Sequence, residues 1–395
     1  MGDGRADFVT QWTQGRKANL PLPDPEALAH SAALTESICR AIVHAGGWLP
    51  FAEYMDLALY APGLGYYMAG QQRLGAAGDF ITAPEMGGIL GAVLARAMTP
   101  WLGRDGVLEL GGGSGALATQ IHTRLPQVPY TLLELSPDLQ ARQRAACPAS
   151  RHVQKLPTAW NGVLLANEVL DAIPVAVVEQ GDDGILREMG VVVATDGALA
   201  WAPAPDPASA ALQALVEPWR QDWPAPYRSE VHPRAEAWLR TLAGHLQSGA
   251  ILLIDYGHEA REYYHPQRQM GTLRAYYRHQ WLDDPFVWPG LCDLTAHVNF
   301  TGLLRVAEEV GLHIAWYGNL ARFLIEHGLP EVYAELHAQA SSPEAVLALN
   351  NEIKKLTLPQ EMGESFKVLL LTRGGLGGRG TDPKNLWDCS IVLRK

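Results

Sequence analysis

The chain has few cysteines, and they stand far apart. Its 395 residues contain four of them, Cys39, Cys147, Cys292 and Cys389. The absence of a CxxC pair argues against a sequence-local zinc site and against a disulfide scaffold, and it suits a reducing compartment. The sequence also lacks a run of about 18 uncharged apolar residues, so no membrane-spanning helix is expected.

Basic residues are outnumbered by acidic ones. Lys and Arg total 31 against 42 Asp and Glu, which gives a net charge of −11 with histidine neutral. Binding to nucleic-acid backbones requires clustered Lys and Arg, so this balance argues against a nucleic-acid partner. The first residues lack the basic-then-apolar pattern of a signal peptide, and Asp3 and Asp7 weaken a transit-peptide interpretation. We expect a soluble intracellular protein.

Strand and helix patterns alternate through the middle of the chain. Strands are expected at 107–110, 130–134, near Val153, and at 162–166, 250–255 and 366–371, with a terminal strand near 390–393. Helices are expected at 116–125, 137–146 and 235–247. Strand–helix–strand units of this length predict parallel pairing with right-handed crossovers. The sequence therefore predicts a doubly wound, mostly parallel α/β sheet.

Long segments lie outside this alternation. Residues 51–85 are rich in Gly, Tyr and Pro and are expected to form an ordered loop layer rather than a core segment. We expect two parts: residues 1–85 as an amino-terminal helix and loop layer covering the active site, and 86–395 as the core. Insertions into that core at about 175–232, 256–298 and 319–357 are expected to form a second lobe. Within them, 175–203 alternates as an antiparallel hairpin does.

A glycine-rich loop, Gly111-Gly112-Gly113-Ser114-Gly115, joins the first strand to its helix. Glycine permits a tight turn and a close approach of ligand to backbone, and the following helix offers free amides. Gly111, Gly113 and Ala116 satisfy the relaxed dinucleotide fingerprint. Read from Glu109, the same loop resembles the first motif of class I methyltransferases. Glu134, which closes the second strand, is placed to bind ribose hydroxyls of either cofactor.

Two features favour S-adenosylmethionine over a nicotinamide dinucleotide. Glu109, two residues before the first glycine, is typical of the methyltransferase motif and is not needed at a nucleotide site. The fourth strand is followed by a polar and acidic turn, Asn167-Glu168-Val-Leu-Asp171-Ala-Ile-Pro174, at the sheet edge where doubly wound folds bind ligands. Transfer of a sulfonium methyl group needs alignment with an acceptor. Carboxylates at this edge would suit a cationic or amine acceptor.

Eight stretches in shared order resemble the MidA family, the methyltransferases of mitochondrial complex I assembly and their bacterial relatives. Besides the glycine loop, they are 55–67, 78–85, 167–174, 253–257, 271–279, 293–298 and 359–368. The resemblance implies an S-adenosylmethionine-dependent protein arginine methyltransferase that makes symmetric dimethylarginine on a subunit of respiratory complex I and supports assembly of that complex. One departure is Val169-Leu170, where relatives commonly have phenylalanine.

The sequence motifs and the family resemblance together indicate candidate site residues. They indicate no metal ligands. The candidates for cofactor binding are Thr82, Pro84, Glu109, Gly111, Gly113, Gly115, Glu134, Leu135 and Asn167. The candidates for catalysis are Glu168, Asp171, Asp255 and His297. A guanidinium is planar and cationic, so carboxylates bind it bidentately and orient it. Each catalytic candidate also has a structural interpretation, such as helix capping for Glu168 or a buried structural imidazole for His297.

Alternatives remain open at this point. The chain could be an assembly chaperone that binds the cofactor and catalyses little, or a nicotinamide-dependent dehydrogenase. The expected compartment is the cytoplasm for a bacterial chain and the mitochondrial matrix for a eukaryotic one. The expected partner is a protein segment bearing an arginine, and a homodimer is one alternative for the oligomeric state.

Overall fold

A computed structural model describes residues 21–69, 83–278 and 280–374 of the chain. Their contacts divide the chain into two compact units. The described residues of the larger unit are 83–173, 232–263 and 297–374, and those of the smaller unit are 21–69, 174–231, 264–278 and 280–296. Residues 319–357, which we expected among the insertions of a second lobe, lie in the larger unit. Thr82 and the expected strand near 390–393 fall outside the described residues.

The described residues form strands and helices in the following chain order. The strands are β1 Leu49–Pro50, β2 Gly106–Leu110, β3 Tyr130–Leu133, β4 Arg151–Val153, β5 Trp160–Asn167, β6 Ala176–Gln180, β7 Leu186–Val193, β8 Leu199–Pro203, β9 Tyr227–Val231, β10 Leu246–His258, β11 Arg274–Tyr277, β12 Gln280–Leu282, β13 Asp293–Thr295, β14 Val298–Asn299, β15 His313–Asn319 and β16 Phe366–Arg373. The helices are α1 Pro25–His44, α2 Phe51–Tyr60, α3 Ala83–Met86, α4 Ile89–Met98, α5 Ala116–Arg124, α6 Pro137–Ala146, α7 Ala210–Arg220, α8 Pro233–His245, α9 Ala260–Tyr263, α10 Phe300–Glu309, α11 Leu320–Glu326, α12 Leu329–Gln339, α13 Pro343–Thr357 and α14 Met362–Ser365, with a 3₁₀ turn at Thr99–Trp101.

The larger unit is built on one eight-stranded sheet. Its order is β15-β16-β10-β5-β2-β3-β4, and β14 pairs with the end of β10. Strands β10, β5, β2, β3 and β4 run parallel, whereas β16 is antiparallel to both β10 and β15. This confirms the predicted doubly wound, mostly parallel α/β fold. The strand order reverses at β2, so the carboxyl ends of β2 and β5 flank the crevice in which such sheets bind ligands.

Helices cover both faces of this sheet, and successive residues of β10 belong to two different apolar cores. Leu252 and Ile254 pack with α4, α5 and the helices that follow β15, whereas Ile251 and Leu253 pack with α8 and α10. A strand buried on both faces requires an apolar run without alternation, as predicted for 250–255. Each fully buried side chain of this size contributes roughly 1.5–3 kcal/mol to folding.

The smaller unit contains two antiparallel sheets. One has the order β1-β7-β6-β9 with β8 paired to β7, and the other the order β12-β11-β13. The predicted hairpin at 175–203 corresponds to β6, β7 and β8, which pair in succession. Nowhere in 21–69, 83–278 or 280–374 is a helix both long and apolar enough to cross a bilayer.

Helix α2 corrects one prediction. We expected all of 51–85 to be a loop layer, but the first ten of these residues are helical. Phe51, Tyr54, Met55 and Leu59 are buried, at the three- and four-residue spacing of a helical face. The glycines and prolines that suggested a loop begin only at Pro62, after the helix has ended.

Candidate active site

The glycine loop follows β2 directly and leads into α5. Gly111, Gly113 and Gly115 have φ angles of 68°, 51° and 88°, a region that side-chain-bearing residues rarely adopt. A Cβ atom on Gly115 would also lie only 3.1 Å from the Cα of Gln143. The three predicted glycines therefore shape the backbone, and the first amides of α5 lack partners within the helix.

Glu134 lies at the carboxyl end of β3 and is nearly buried. Its Oε1 accepts from the backbone N–H groups of Leu135 and Ser136, each at 2.9 Å. Its Oε2 accepts from Nε2 of Gln143 at 2.9 Å, and the same Nε2 donates to the carbonyl of Gly113 at 3.0 Å. Gln143 therefore joins the acid to the glycine loop. Sequence reasoning missed this residue, although Gln140 and Gln143 lie three residues apart on the buried face of α6.

Glu109 lies on β2, two residues before the glycine loop, and is buried in the core. It is 3% exposed, and its Oε2 accepts the Tyr130 hydroxyl at 2.8 Å. Burial is the main cause that raises its pKa from 4.5 to about 7, and the neighbouring Glu134 adds to the rise while the Tyr130 hydrogen bond opposes it. A Cβ atom on Gly112 would lie 3.4 Å from Oε2 of this carboxyl. The predicted cofactor residue Glu109 is thus buried two residues before the loop and hydrogen-bonded to Tyr130 of β3.

Replacing Glu109 with glutamine is expected to stabilise the fold at alkaline pH. The pKa of this carboxyl is about 7 in the folded chain against an ordinary value of 4.5, so its ionisation costs stability as the pH rises from 4.5 through 7. Glutamine cannot ionise, and its carbonyl oxygen still accepts the Tyr130 hydroxyl. The free energy of unfolding of Glu109→Gln should exceed that of the wild type by roughly 3 kcal/mol at pH 8 and by less than about 1 kcal/mol at pH 5.

Urea denaturation at pH 5, 6, 7 and 8 measures this difference. The exposed Glu308 provides the matched control, because Glu308→Gln removes one carboxylate without removing a buried one. A stability difference for Glu109→Gln that does not grow with pH would contradict the raised pKa.

Residues 83–85, just before α4, form hydrogen bonds with α5, with the glycine loop and with the acidic turn. The carbonyl of Pro84 accepts from Nε2 of Gln120 at 2.6 Å, and the Glu85 carboxylate accepts the hydroxyl of Ser114 in the glycine loop. A backbone hydrogen bond from Ala83 reaches the Glu168 carboxylate. The predicted residue Pro84 therefore lies beside the glycine loop and the acidic turn, whereas Thr82 is outside the described residues.

The acidic turn begins where β5 ends. Asn167 pairs in register with Ile254 of β10, and the N–H of Glu168 donates to the Ile254 carbonyl at 2.9 Å. Glu168 has a φ of 54°, which is uncommon for a side-chain-bearing residue. Asn167 Nδ2 donates to Oε1 of Glu168 at 3.1 Å, while Oδ1 of Asn167 is buried and has no hydrogen-bond partner in the described part of the chain.

Asp255 holds this turn in place. It is fully buried, and its Oδ2 accepts the N–H groups of Val169, Leu170 and Asp171 at 3.1, 2.9 and 3.2 Å. Its Oδ1 accepts the N–H of Tyr256 at 2.9 Å. The sequence nominates Asp255 for catalysis, and all these contacts are to backbone amides of the turn and the strand. The geometry therefore favours a positioning role for Asp255.

Three carboxyl groups, those of Glu168, Asp171 and Asp255, lie at this edge, and the pKa values of Glu168 and Asp255 are raised. Burial and then the neighbouring Asp171 raise the pKa of Glu168 from 4.5 to about 7, against the opposing hydrogen bonds from Asn167 and Ala83. Burial, Asp171 and Glu168 likewise raise the pKa of Asp255. A cation placed against these groups would favour their ionised forms. The edge is therefore suited to a cationic, hydrogen-bond-donating group.

Tyr256 brings His297 into the same group of residues. The Tyr256 hydroxyl donates to Oδ2 of Asp171 at 2.5 Å. The His297 and Tyr256 rings pack nearly perpendicular to each other with centroids 5.1 Å apart, and Nδ1 of His297 lies 3.0 Å from Nε2 of His258. Sequence reasoning missed Tyr256 and His258. The position of Tyr256 immediately after Asp255 at the end of a buried strand was the available signal.

Comparison with known proteins gives a family match over the core of the chain. A family model described as "putative S-adenosyl-L-methionine-dependent methyltransferase" matches residues 92–318. Among curated proteins, the chain is similar to the mitochondrial protein arginine methyltransferase NDUFAF7 of Mus musculus, with 30% identity over 82% of this chain and 81% of the relative. The corresponding Drosophila melanogaster homologue is 26% identical over 91% of this chain and 90% of its own length.

Solved structures give the same grouping. A "likely methyl transferase" from Burkholderia thailandensis, crystallised with S-adenosyl-homocysteine, is 39% identical with a TM-score of 0.84. The match covers 93% of this chain and 100% of that one. A native structure of a protein of the same superfamily from that organism has a TM-score of 0.82 at 38% identity, with the same coverage.

Proposed function

This chain belongs to the family of S-adenosyl-L-methionine-dependent methyltransferases, and we propose that it methylates an arginine side chain of a protein. The family supplies the reaction class and the cofactor. The choice of acceptor rests on the acidic turn beside the carboxyl end of β10, where burial and the neighbouring Asp171 raise the pKa of Glu168 to about 7. A guanidinium forms charge-assisted, bidentate hydrogen bonds with carboxylates, and these are stronger than the hydrogen bonds that a neutral acceptor would donate to them.

The residues around the glycine loop fit the cofactor. S-adenosylmethionine supplies an electrophilic methyl group on a sulfonium centre. Glu134 retains unused acceptor capacity after its three hydrogen bonds, which ribose hydroxyls can use. Asn167 Oδ1 is a buried acceptor in need of a donor, and an amino group is such a donor. Leu135 is 56% exposed next to Glu134 and offers an apolar surface for a base. Gly111, Gly113 and Gly115 complete this cofactor set.

The carboxylates of the acidic turn would bind the guanidinium of the acceptor arginine, orient it, and release it after methylation. Glu168 and Asp171 would hold the guanidinium N–H groups so that one nitrogen faces the methyl donor. Its attack on the methyl carbon forms the N–C bond while the sulfonium C–S bond breaks. The proton that the nitrogen then loses passes to a carboxylate, for which a pKa near 7 is well matched at neutral pH.

The finer function follows the family resemblance. We propose symmetric dimethylation of an arginine in a subunit of respiratory complex I, in support of its assembly. The sequence of this chain is 39% identical to that of the Burkholderia thailandensis protein and 30% identical to that of the mouse mitochondrial relative. This favours a bacterial cytoplasmic setting, with the mitochondrial matrix as the eukaryotic equivalent.

The proposal is tested with purified protein, S-adenosylmethionine and isolated complex I from a deletion strain. We expect mass spectrometry to find an arginine in one subunit that gains two methyl groups, with the symmetric fragmentation pattern, in the presence of the wild type and not of Glu168→Gln. Binding of S-adenosylhomocysteine without methyl transfer to any subunit would contradict the complex I proposal. Restored assembly without methylation would indicate a chaperone.

A further inference from the structure

A chain of side-chain contacts extends from the acidic turn to the surface of the larger unit. It starts at Asp171, passes through Tyr256 and His297, and continues through His258 to Glu262, whose carboxylate lies 3.0 Å from Nδ1 of His258. The Glu262 side chain is 62% exposed, whereas that of His258 is 14% exposed. None of these contacts is needed to build the sheet, because the strands that carry them are already paired.

The two imidazoles contact each other, and each has a further neighbour. Nδ1 of His258 lies 3.0 Å from Oε1 of Glu262. Nε2 of His258 lies 3.0 Å from Nδ1 of His297, so one of these two ring nitrogens donates to the other. These contacts restrict the orientation of both rings, and the His297 ring packs against the Tyr256 ring with the two planes nearly perpendicular.

Tyr256 is the point at which this chain reaches the site. Its ring packs against the rings of His297 and Phe366, at centroid distances of 5.1 and 5.6 Å. With the ring packed in this way, the hydroxyl can direct a short hydrogen bond to one oxygen of Asp171. The backbone N–H of Asp171 donates to Oδ2 of Asp255. Asp171 is therefore restrained both at its main chain and at its carboxylate.

We propose that Tyr256 is a positioning residue that orients the Asp171 carboxylate toward the methyl acceptor, and that the His297–His258 pair holds the Tyr256 ring for this task. The inference rests on the proposed arginine methylation for the identity of the acceptor. It assigns His297 an action through Tyr256 in place of a direct role as a base. Preorganised groups of this kind lower the reorganisation needed to reach the transition state.

Tyr256→Phe removes only the hydroxyl. We expect kcat for the arginine acceptor to fall about 10- to 100-fold, with affinity for S-adenosylhomocysteine within about threefold of the wild type. Tyr333→Phe is the matched control, because its hydroxyl donates to Oδ1 of Asn350 at 2.8 Å between α12 and α13. That variant should lose a comparable hydrogen bond and keep its kcat.

A double-mutant cycle distinguishes positioning from a general structural effect. If Tyr256 acts through Asp171, Tyr256→Phe combined with Asp171→Asn should be no slower than Asp171→Asn alone. His297→Gln should reduce kcat by a similar factor to Tyr256→Phe, and its effect should likewise vanish in the Tyr256→Phe background. Additive losses in these cycles would overturn the proposal.

A crystal structure of Tyr256→Phe with S-adenosylhomocysteine gives a readout independent of turnover. We expect the Asp171 carboxylate to rotate away from its wild-type position while Asp255 and the backbone of the turn stay in place. An unmoved Asp171 would overturn the inference whatever the acceptor is. Failure of the wild type to methylate arginine, with Asp171 still displaced in the variant, would instead count against the proposed function alone.

Discussion

Glu168→Gln is expected to reduce kcat by about 10²- to 10³-fold while leaving the affinity for S-adenosylhomocysteine within a few-fold. The side chain keeps its size, and its remaining oxygen can still accept the hydrogen bond from Asn167. What it loses is the charge that would hold a guanidinium and accept its proton. Steady-state kinetics with the protein acceptor and calorimetry with S-adenosylhomocysteine measure the two quantities separately.

The wild-type pH profile provides a second measure of the same residue. The pKa of Glu168 is raised to about 7 by burial and by Asp171, so the ionised form becomes dominant as the pH rises through 7. We expect kcat/KM to rise about tenfold per unit below pH 7 and to level above it, and this limb to disappear in Glu168→Gln. Glu236→Gln, which changes a buried carboxylate paired with Arg305, should retain the wild-type profile. Full turnover by Glu168→Gln would remove the assigned role.

The sheet could be predicted because its strands carry the signal themselves. Strands β2, β3, β5 and β10 are apolar runs separated by helical patterns at crossover length, and such units admit few arrangements. Edge strand β15 was not predicted, since His313–Asn319 mixes polar and aromatic residues and is only partly buried. Helix α2 was missed because the composition of 51–85 as a whole concealed the helical spacing at its start.

Only those parts of the candidate site that directly follow a predicted strand could be predicted from the sequence. The glycine loop, Glu134 and the acidic turn follow the carboxyl ends of parallel strands, where topology brings them together. The partners of each side chain depend on packing between distant segments, which a single sequence does not reveal. Gln143 reaches both Gly113 and Glu134, and Tyr256 reaches Asp171, through such packing.

Asp255→Ala is expected to have the largest effect on stability. The variant leaves the N–H groups of Val169, Leu170, Asp171 and Tyr256 without their acceptor in a fully buried position. We expect the free energy of unfolding to fall by about 3–5 kcal/mol, since each orphaned buried donor costs about 1 kcal/mol or more. The turn that carries Glu168 at a positive φ would also lose its restraint, so kcat should fall with stability.

Asp255→Asn separates the two effects. The pKa of Asp255 is raised by burial, Asp171 and Glu168, so a neutral side chain is tolerated there, and its carbonyl oxygen can accept the three amides of the turn. Its NH₂ group then faces the N–H of Tyr256, and we expect a loss of only about 1–2 kcal/mol. Asp105→Ala is the matched control, because Asp105 accepts the N–H of Asn161 at the opposite end of the sheet. That variant should lose stability and keep its kcat. If Asp255→Asn were as unstable as Asp255→Ala, the charge of Asp255 rather than its acceptor atoms would be what holds the turn.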